Sequence, residues 1–267
     1  MASPRKFLWA EMTWPELREA TKGNNVIIVP VGAIEQHGAH LPVDVDIRLP
    51  YALAVQAAKR TKGVIVAPPI QFGQSPEHHS FPGTIYLRLE TMVALVSDVL
   101  HSIASYGFLK IVLLNGHGGN TAPLRAIAKD FLRTHGISVA CADHWMFAQH
   151  EILAVRKSAS GGIGHACEME TSLYLHHHPE LVQMDQAVAA YEDPIPKGQT
   201  SFVWKDMFEP GMIWMTRDYV IHDPLGVVGD PTVATPEAGK AMFEGELKHF
   251  AAFLAEFREA QTIPRGQ

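Results

Sequence analysis

Val26-Ile27-Ile28-Val29-Pro30-Val31-Gly32-Ala33-Ile34-Glu35-Gln36-His37-Gly38 decides the fold. Six apolar residues in a row fit a strand buried on both faces, and such strands belong to parallel sheets covered by helices. The apolar run stops at Gly32, and polar, chemistry-bearing residues follow at once. The construction recurs at Ile111-Val112-Leu113-Leu114, followed by Asn115-Gly116-His117-Gly118-Gly119-Asn120. In open α/β sheets, ligands bind beyond the carboxyl ends of the strands. Two polar clusters directly after two buried strands therefore predict a site at that edge.

Working outward, helical periodicity covers residues 14–20, 46–58, 89–105, 121–134, 168–176 and 235–258. Further strands are expected at 64–67, 84–87 and 137–142. Strand and helix alternate with short connections through Thr134, which predicts a three-layer α/β/α sandwich with a mostly parallel central sheet. Nothing linker-like interrupts the sequence, so one domain is expected over 1–267. The stretch 189–230 contains Pro194, Pro196, Pro210 and Pro224 and is too long for a simple connector. It reads as a lid, an oligomer contact, or both.

The net charge of −6 argues against nucleic acid or an anionic membrane surface and leaves a small-molecule substrate. The two cysteines, Cys141 and Cys167, form no CxxC pair, so a reducing cytoplasm is the expected location. There is no apolar leader at the N-terminus and no apolar run of about 18 residues. Of 15 histidines, His176-His177-His178 reads as a helix end that favours imidazolium, and His101 and His249 read as structural.

Four clusters carry candidate chemistry. Glu35 and His37 point the same way on an extended backbone and can address one ion or a close pair. Asp46 opens the next helix as a ligand or as an N-cap, and Asp44 competes for either role. His117 sits among Gly116, Gly118 and Gly119, which are expected to admit positive φ and close approach of a ligand. Its alternatives are an incidental turn or an anion-binding helix start. In His165-Ala166-Cys167-Glu168-Met169-Glu170, His165 and Glu168 share a helix face while Glu170 points away. The plain alternative there is an acidic first turn. Ser75, Glu77 and His78 lie in a loop that reads as a substrate rim or an ordinary polar loop. No GxSxG elbow occurs, so metal-activated water is favoured over a covalent route. Carboxylate and imidazole ligands serve zinc, manganese and iron alike.

At these residues the chain resembles the creatininase (creatinine amidohydrolase) family. The resemblance rests on Pro30 through Gly38, Leu41-Pro42 through Asp46, Phe81-Pro82-Gly83-Thr84, Asn115-Gly116-His117, His165 through Ser172, and Gly229-Asp230-Pro231 with Ala234-Thr235. It implies a three-layer α/β fold, two divalent metal ions per chain (zinc or manganese, iron in some branches) and a homo-oligomer, often a hexamer. By position, Glu35, His37, Asp46 and His117 match metal ligands, with Asp46 the bridge. His165 matches a histidine at the reacting group.

Two departures stand out. Creatininases carry Tyr-Glu where this chain has Gly118-Gly119, and that Glu is a ligand. Glu168 is expected to replace it, with Glu170 a catalytic or supporting carboxylate. Creatininases also carry a Trp-Asp-Ile-Glu run where this chain has Gly161-Gly162-Ile163-Gly164, so the clamp on a planar ring is missing. Trp145 is expected to keep one aromatic wall, beside Gly118 and Gly119. The implied activity is hydrolysis of a C–N bond in a small amide, cyclic amide or formamide other than creatinine. A formamidopyrimidine-type deformylase, a modified-peptide metallopeptidase and a sugar-like ring hydrolase are alternatives within the family. A metal-binding or assembly protein is the non-enzyme alternative.

Overall fold

Strand β1 (Val26–Val31) lies fully buried inside a four-stranded parallel sheet of order β2-β1-β3-β4, with β2 at Val64–Val66, β3 at Lys110–Asn115 and β4 at Val139–Asp143. We describe it from a computed structural model covering residues 6–191, 200–215 and 224–261. Pro30 sits in this central strand without cost to the ladder. Its carbonyl accepts from Ile70 N–H, so its missing donor faces the side where Pro68-Pro69 has already ended β2.

The strands alternate two apolar faces. Val26 and Ile28, with Val64, Val66, Val112 and Leu114, pack under helices α2 (Val45–Arg60), α6 (Glu168–His177) and α7 (Pro236–Glu259). Ile27, Val29 and Val31, with Ile65, Ile111 and Leu113, pack under α3 (Leu89–Ser105) and α4 (Thr121–His135). Each fully buried Ile or Leu contributes about 1.5–3 kcal/mol, so both faces must be covered. The fold is the expected three-layer sandwich. Helix α1 (Trp14–Ala20) follows Thr13, whose N–H and hydroxyl both donate to Glu16. Helix α4 ends at Gly136 in the left-handed region (φ 73°).

Because β1 leads to α2 on one face and β3 leads to α4 on the other, the connections after β1 and β3 diverge. That is a topological switch point, where α/β sheets open a crevice. The expected strand at 84–87 is absent. Ile85 makes an isolated bridge to Ile34, and the next ladder donor, Gln36 N–H, goes to the Thr84 hydroxyl instead of a backbone carbonyl.

Helix α5 (Gln149–Val155) and the antiparallel pair β5 (Ile163–His165) and β6 (Val228–Gly229) were not evident from periodicity, being only two to seven residues long. In the 189–230 stretch, the described parts are irregular apart from β6, and residues 192–199 and 216–223 lie outside the described residues. No helix among the described residues is long and apolar enough to cross a membrane.

Candidate metal centre

Asp46 reaches the crevice because of two glycines and a proline. Pro50 has no N–H to give the carbonyl of Asp46 one turn earlier. Against that carbonyl lie the backbones of Gly32 and Gly116, where an added Cβ would come within 2.5 and 1.8 Å of it. The first turn of α2 is thereby pressed onto the ends of β1 and β3. The helix cap is Asp44, which pairs with Arg48 and accepts from Tyr174 Oη at 2.7 Å. Asp46 is therefore not a cap.

His117 is held by Asn115. Asn115 Oδ1 accepts from His117 N–H at 3.1 Å, and Asn115 Nδ2 donates to His117 O at 2.7 Å. Gly116, Gly118 and Gly119 do not use positive φ, contrary to expectation. Gly116 and Gly119 are needed for close approach, whereas a Cβ on Gly118 would meet nothing within 4 Å. Asn120, at the start of α4, makes no side-chain cap bond and donates to Gly32 O at 3.0 Å while accepting from Gln74 N–H at 2.9 Å. It ties together the loops that carry Glu35, His117 and His78.

The side chains converge as follows. His37 Nε2 lies 3.1 Å from Asp46 Oδ1 and 3.8 Å from Glu170 Oε1. His117 Nδ1 lies 3.0 Å from Asp46 Oδ2 and 3.2 Å from Glu35 Oε2. Asp46 thus turns one oxygen to each histidine. Each imidazole also has its remote nitrogen on a backbone carbonyl: His37 Nδ1 on Glu35 O at 3.2 Å, His117 Nε2 on Gln74 O at 3.2 Å. Those bonds fix the rings so that the inward nitrogens present lone pairs, as metal-ligating histidines do.

Both oxygens of Glu35, His37 Nε2 and Asp46 Oδ2 are buried and make no hydrogen bond. The 3.1 Å approach of His37 to Asp46 is thus a contact out of line for a hydrogen bond. Two donors about 2.1 Å from a common ion at a tetrahedral angle stand ~3.4 Å apart, which is the spacing seen here. The donor set fits divalent cations. Among the described residues, Glu35–Asp46–His117, His37–His165–Glu170 and Glu35–His78–His165 are the groups spaced to hold one.

The electrostatics say the same. Burial pushes Glu35 up to about 7. Burial also opposes the charge on Asp46, but His37 and His117 outweigh it and hold that carboxyl well below its usual range. His37 and His117 are raised well above the ordinary imidazole value, because Asp46 with Glu170, and Glu35 with Asp46, overcome the burial of the rings. Three buried carboxylates demand positive charge, and bound protons supply it when no cation does.

One expected ligand is corrected. Glu168 is fully buried, and its two oxygens accept from Lys157 N–H and Ser158 N–H at 2.8 Å each. It anchors the loop before β5 and turns away from the crevice. Glu170, two residues on and ~200° around the helix, occupies the place expected for Glu168. Its Oε2 accepts from Cys167 N–H at 3.1 Å while Oε1 faces His37. Ala166, between His165 and the helix, takes φ 51°, an uncommon conformation for a residue with a Cβ.

The rim expectation divides. Ser75 is fully buried, and His78, also buried, stands 3.3 Å from Glu35 Oε1 inside the cluster. Glu77 is partly exposed, 3.8 Å from His117 Nε2, and Gly118 is exposed, so these two line the mouth. Trp145 is packed into the core, edge-on to His144, leaving little surface for a substrate. His176 and His177, read as helix-end imidazolium, are pushed down by burial instead, His177 to about 4.

The creatininase family model, described as creatinine amidohydrolase, matches residues 10–254, and the chain belongs to that family. It is a hydrolase on that basis. It is 32% identical to the mycofactocin precursor peptide peptidase of Mycobacterium ulcerans (strain Agy99), over 86% of this chain and 81% of that one. It is 30% identical to the 3-dehydro-scyllo-inosose hydrolase of Thermotoga maritima, over 100% of this chain and 88% of that one. A creatininase described as the Zn-Zn type superposes with a TM-score of 0.79 at 27% identity, over 96% of this chain and 100% of that one, and a manganese form superposes as well.

Proposed function

We propose that this chain is a two-metal amidohydrolase that cleaves the C–N bond of an amide bulkier than creatinine. The observation that carries this reading is the set of buried atoms without hydrogen bonds on Glu35, His37 and Asp46, all facing one space. Leaving such groups unpaired costs ~1–3 kcal/mol each or more, so a ligand is the reason to keep them. Glu35, Asp46 and His117 would hold one ion; His37, Asp46 and Glu170 the other. Such ions supply acidified water and polarise a carbonyl.

The remaining work falls to the protein's own groups. Burial, with His78 and His37 nearby, drives His165 well below the ordinary imidazole value, so it is neutral at pH 7. A neutral ring with its N–H turned inward donates a hydrogen bond to the developing oxyanion or the leaving nitrogen. Glu170 keeps the helix start beneath it in place through Cys167 N–H.

The substrate class is supported by two features. Gly161, which stands where creatininases carry the Trp of the ring clamp, has no side chain to close over a ring and takes φ 87°, a conformation that disfavours one. Gly118 leaves open space beside His117. The test is hydrolysis of creatinine, cyclic imides, N-formyl amines and short peptides by protein loaded with zinc or manganese, with and without chelator. Turnover of a formyl amine or peptide that chelator removes is expected. Creatinine as the best substrate would reject the substrate class, and chelator-insensitive turnover would reject the metal.

A further inference from the structure

Gln36 lies between two candidate ligands, Glu35 and His37, and is itself 6% exposed. Its carboxamide has a defined orientation. Gly38 N–H, which can only donate, stands 2.9 Å from one end, so that end is Oε1. Gly226, at φ 68°, presses on the same atom, where a Cβ would come within 2.0 Å. The NH2 end therefore faces His78 Nδ1 at 2.9 Å and His165 Nε2 at 3.0 Å. Two N–H groups meet two ring nitrogens.

We propose that Gln36 is a positioning residue that fixes the tautomers of His78 and His165, keeping their protons on the nitrogens that face Glu35. For His78, accepting at Nδ1 leaves the proton on Nε2, 3.3 Å from Glu35 Oε1. For His165, accepting at Nε2 leaves the proton on Nδ1, 3.7 Å from the same oxygen. The backbone carbonyl of Gln36 also approaches His165 Nε2, at 2.8 Å, and taken alone would draw the proton to Nε2. The side chain of Gln36 opposes its own main chain at this nitrogen, and its NH2, held in place through Oε1 by Gly38 and Gly226, is the group assigned to set the tautomer. In that state both rings are donors into the crevice. His78 and His165 then present protons rather than lone pairs, and the ligand atoms left for cations are those of Glu35, Asp46 and His117 and of His37 and Glu170.

This deepens the proposed hydrolase reading and rests on it for the kinetics, but proton positions can be read without turnover. Neutron diffraction from the zinc-loaded protein is expected to show protons on His78 Nε2 and His165 Nδ1. A zinc ion on either nitrogen, or a proton on His165 Nε2, would overturn the proposal. Gln36→Glu replaces the donors by an acceptor of the same shape, and Gln36→Met removes them without adding charge. Both are expected to keep zinc content, move the His165 proton to Nε2, and lower kcat about 100-fold with KM little changed. If Gln36→Met leaves the proton on Nδ1, the side chain does not select the tautomer and the idea fails. If the protons move as expected and no substrate is turned over by wild type, the tautomer assignment stands and only the hydrolase reading fails.

Discussion

Two buried polar regions flank the carboxyl edge of the sheet, and they are built on opposite plans. In one, His144 and Glu246 join the turn after β4 to helix α7, with Nδ1 and Oε1 3.0 Å apart. Burial disfavours the charge on His144, but Glu246 outweighs it and raises the ring above its ordinary value. That pair closes on itself. In the other, Glu35, His37 and Asp46 are equally buried yet keep atoms that bond to nothing. Buried polar groups that serve stability find partners. A cluster that forgoes them is arranged for something that arrives later, and the chain carries its cost until then.

The largest expected effect breaks the open cluster. Asp46→Asn removes the charge shared by both candidate ion positions, so metal content should fall and hydrolysis should drop below detection. Metal-free Asp46→Asn should also be clearly less stable than the metal-free wild type, because His37 and His117 lose the carboxylate they hold ionised. Metal analysis with thermal melts under chelator checks this. A normal metal content would remove Asp46 from the ligand set.

The closed pair should lose stability without losing metal. Glu246→Ala leaves His144 buried without its partner and is expected to cost about 3–5 kcal/mol. Metal content and kcat per folded molecule should stay at wild-type values. Urea unfolding beside kinetics gives both readouts. Lost turnover at full occupancy would mean that His144 takes part in the chemistry.

A smaller effect separates the regions by pH. In the metal-free protein, Glu35 is raised to about 7 and His37 and His117 lie well above the ordinary imidazole value. The folded state therefore binds more protons than the unfolded chain between about pH 4.5 and 7 for Glu35, and above about pH 6.5 for the histidines. Below about pH 6.5 the depressed His40, His78, His165 and His177 oppose that trend, so stability of the metal-free protein should fall as pH rises above about 6.5. Metal affinity should rise over the same range, since ligands must lose their protons to bind. Chelated and zinc-loaded melting temperatures measured from pH 5 to 9 should diverge. A constant gap would contradict the charge balance.

Much of this contrast was legible in the sequence, for physical reasons. Buried parallel strands leave long apolar runs, so β1 and β3 announced themselves, and the residues after them had to lie at the carboxyl edge. Glu35, His37, Asp46 and His117 were readable for that reason. Glu168 and Glu170 were not separable. Both lie in the first turn of α6, and the choice between them depends on where the loop of Lys157 and Ser158 returns in space. His78 was read as a rim residue because a His-rich loop looks solvated. Its burial depends on Asn120 and Thr84 drawing that loop inward, through Gln74 N–H and Gln36 N–H. The role proposed for Gln36 was hidden as well, since an amide between two candidate ligands carries no spacing signature. Such long-range side-chain bonds leave no periodic trace.

The smallest effect tests the mouth. Gly118 and Gly119 are neighbours in sequence and differ sharply in space. An added Cβ at Gly119 would meet Gln74 O and His117 Nε2 at 2.5 Å each, whereas Gly118 faces open space. Gly118→Leu should therefore leave stability within about 0.5 kcal/mol of wild type, as surface changes do. Metal content should also be unchanged, because His117 is held from Asn115 and Gln74 and not from Gly118. What should change is access. A leucine here fills the space beside His117, so kcat/KM for a peptide or a bulky formyl amine should fall severalfold, while a small cyclic imide loses little. Equal losses for large and small substrates would mean that substrates do not enter past Gly118. The open space would then be ordinary surface, and the preference for a bulky amide would lose the support that Gly118 gives it.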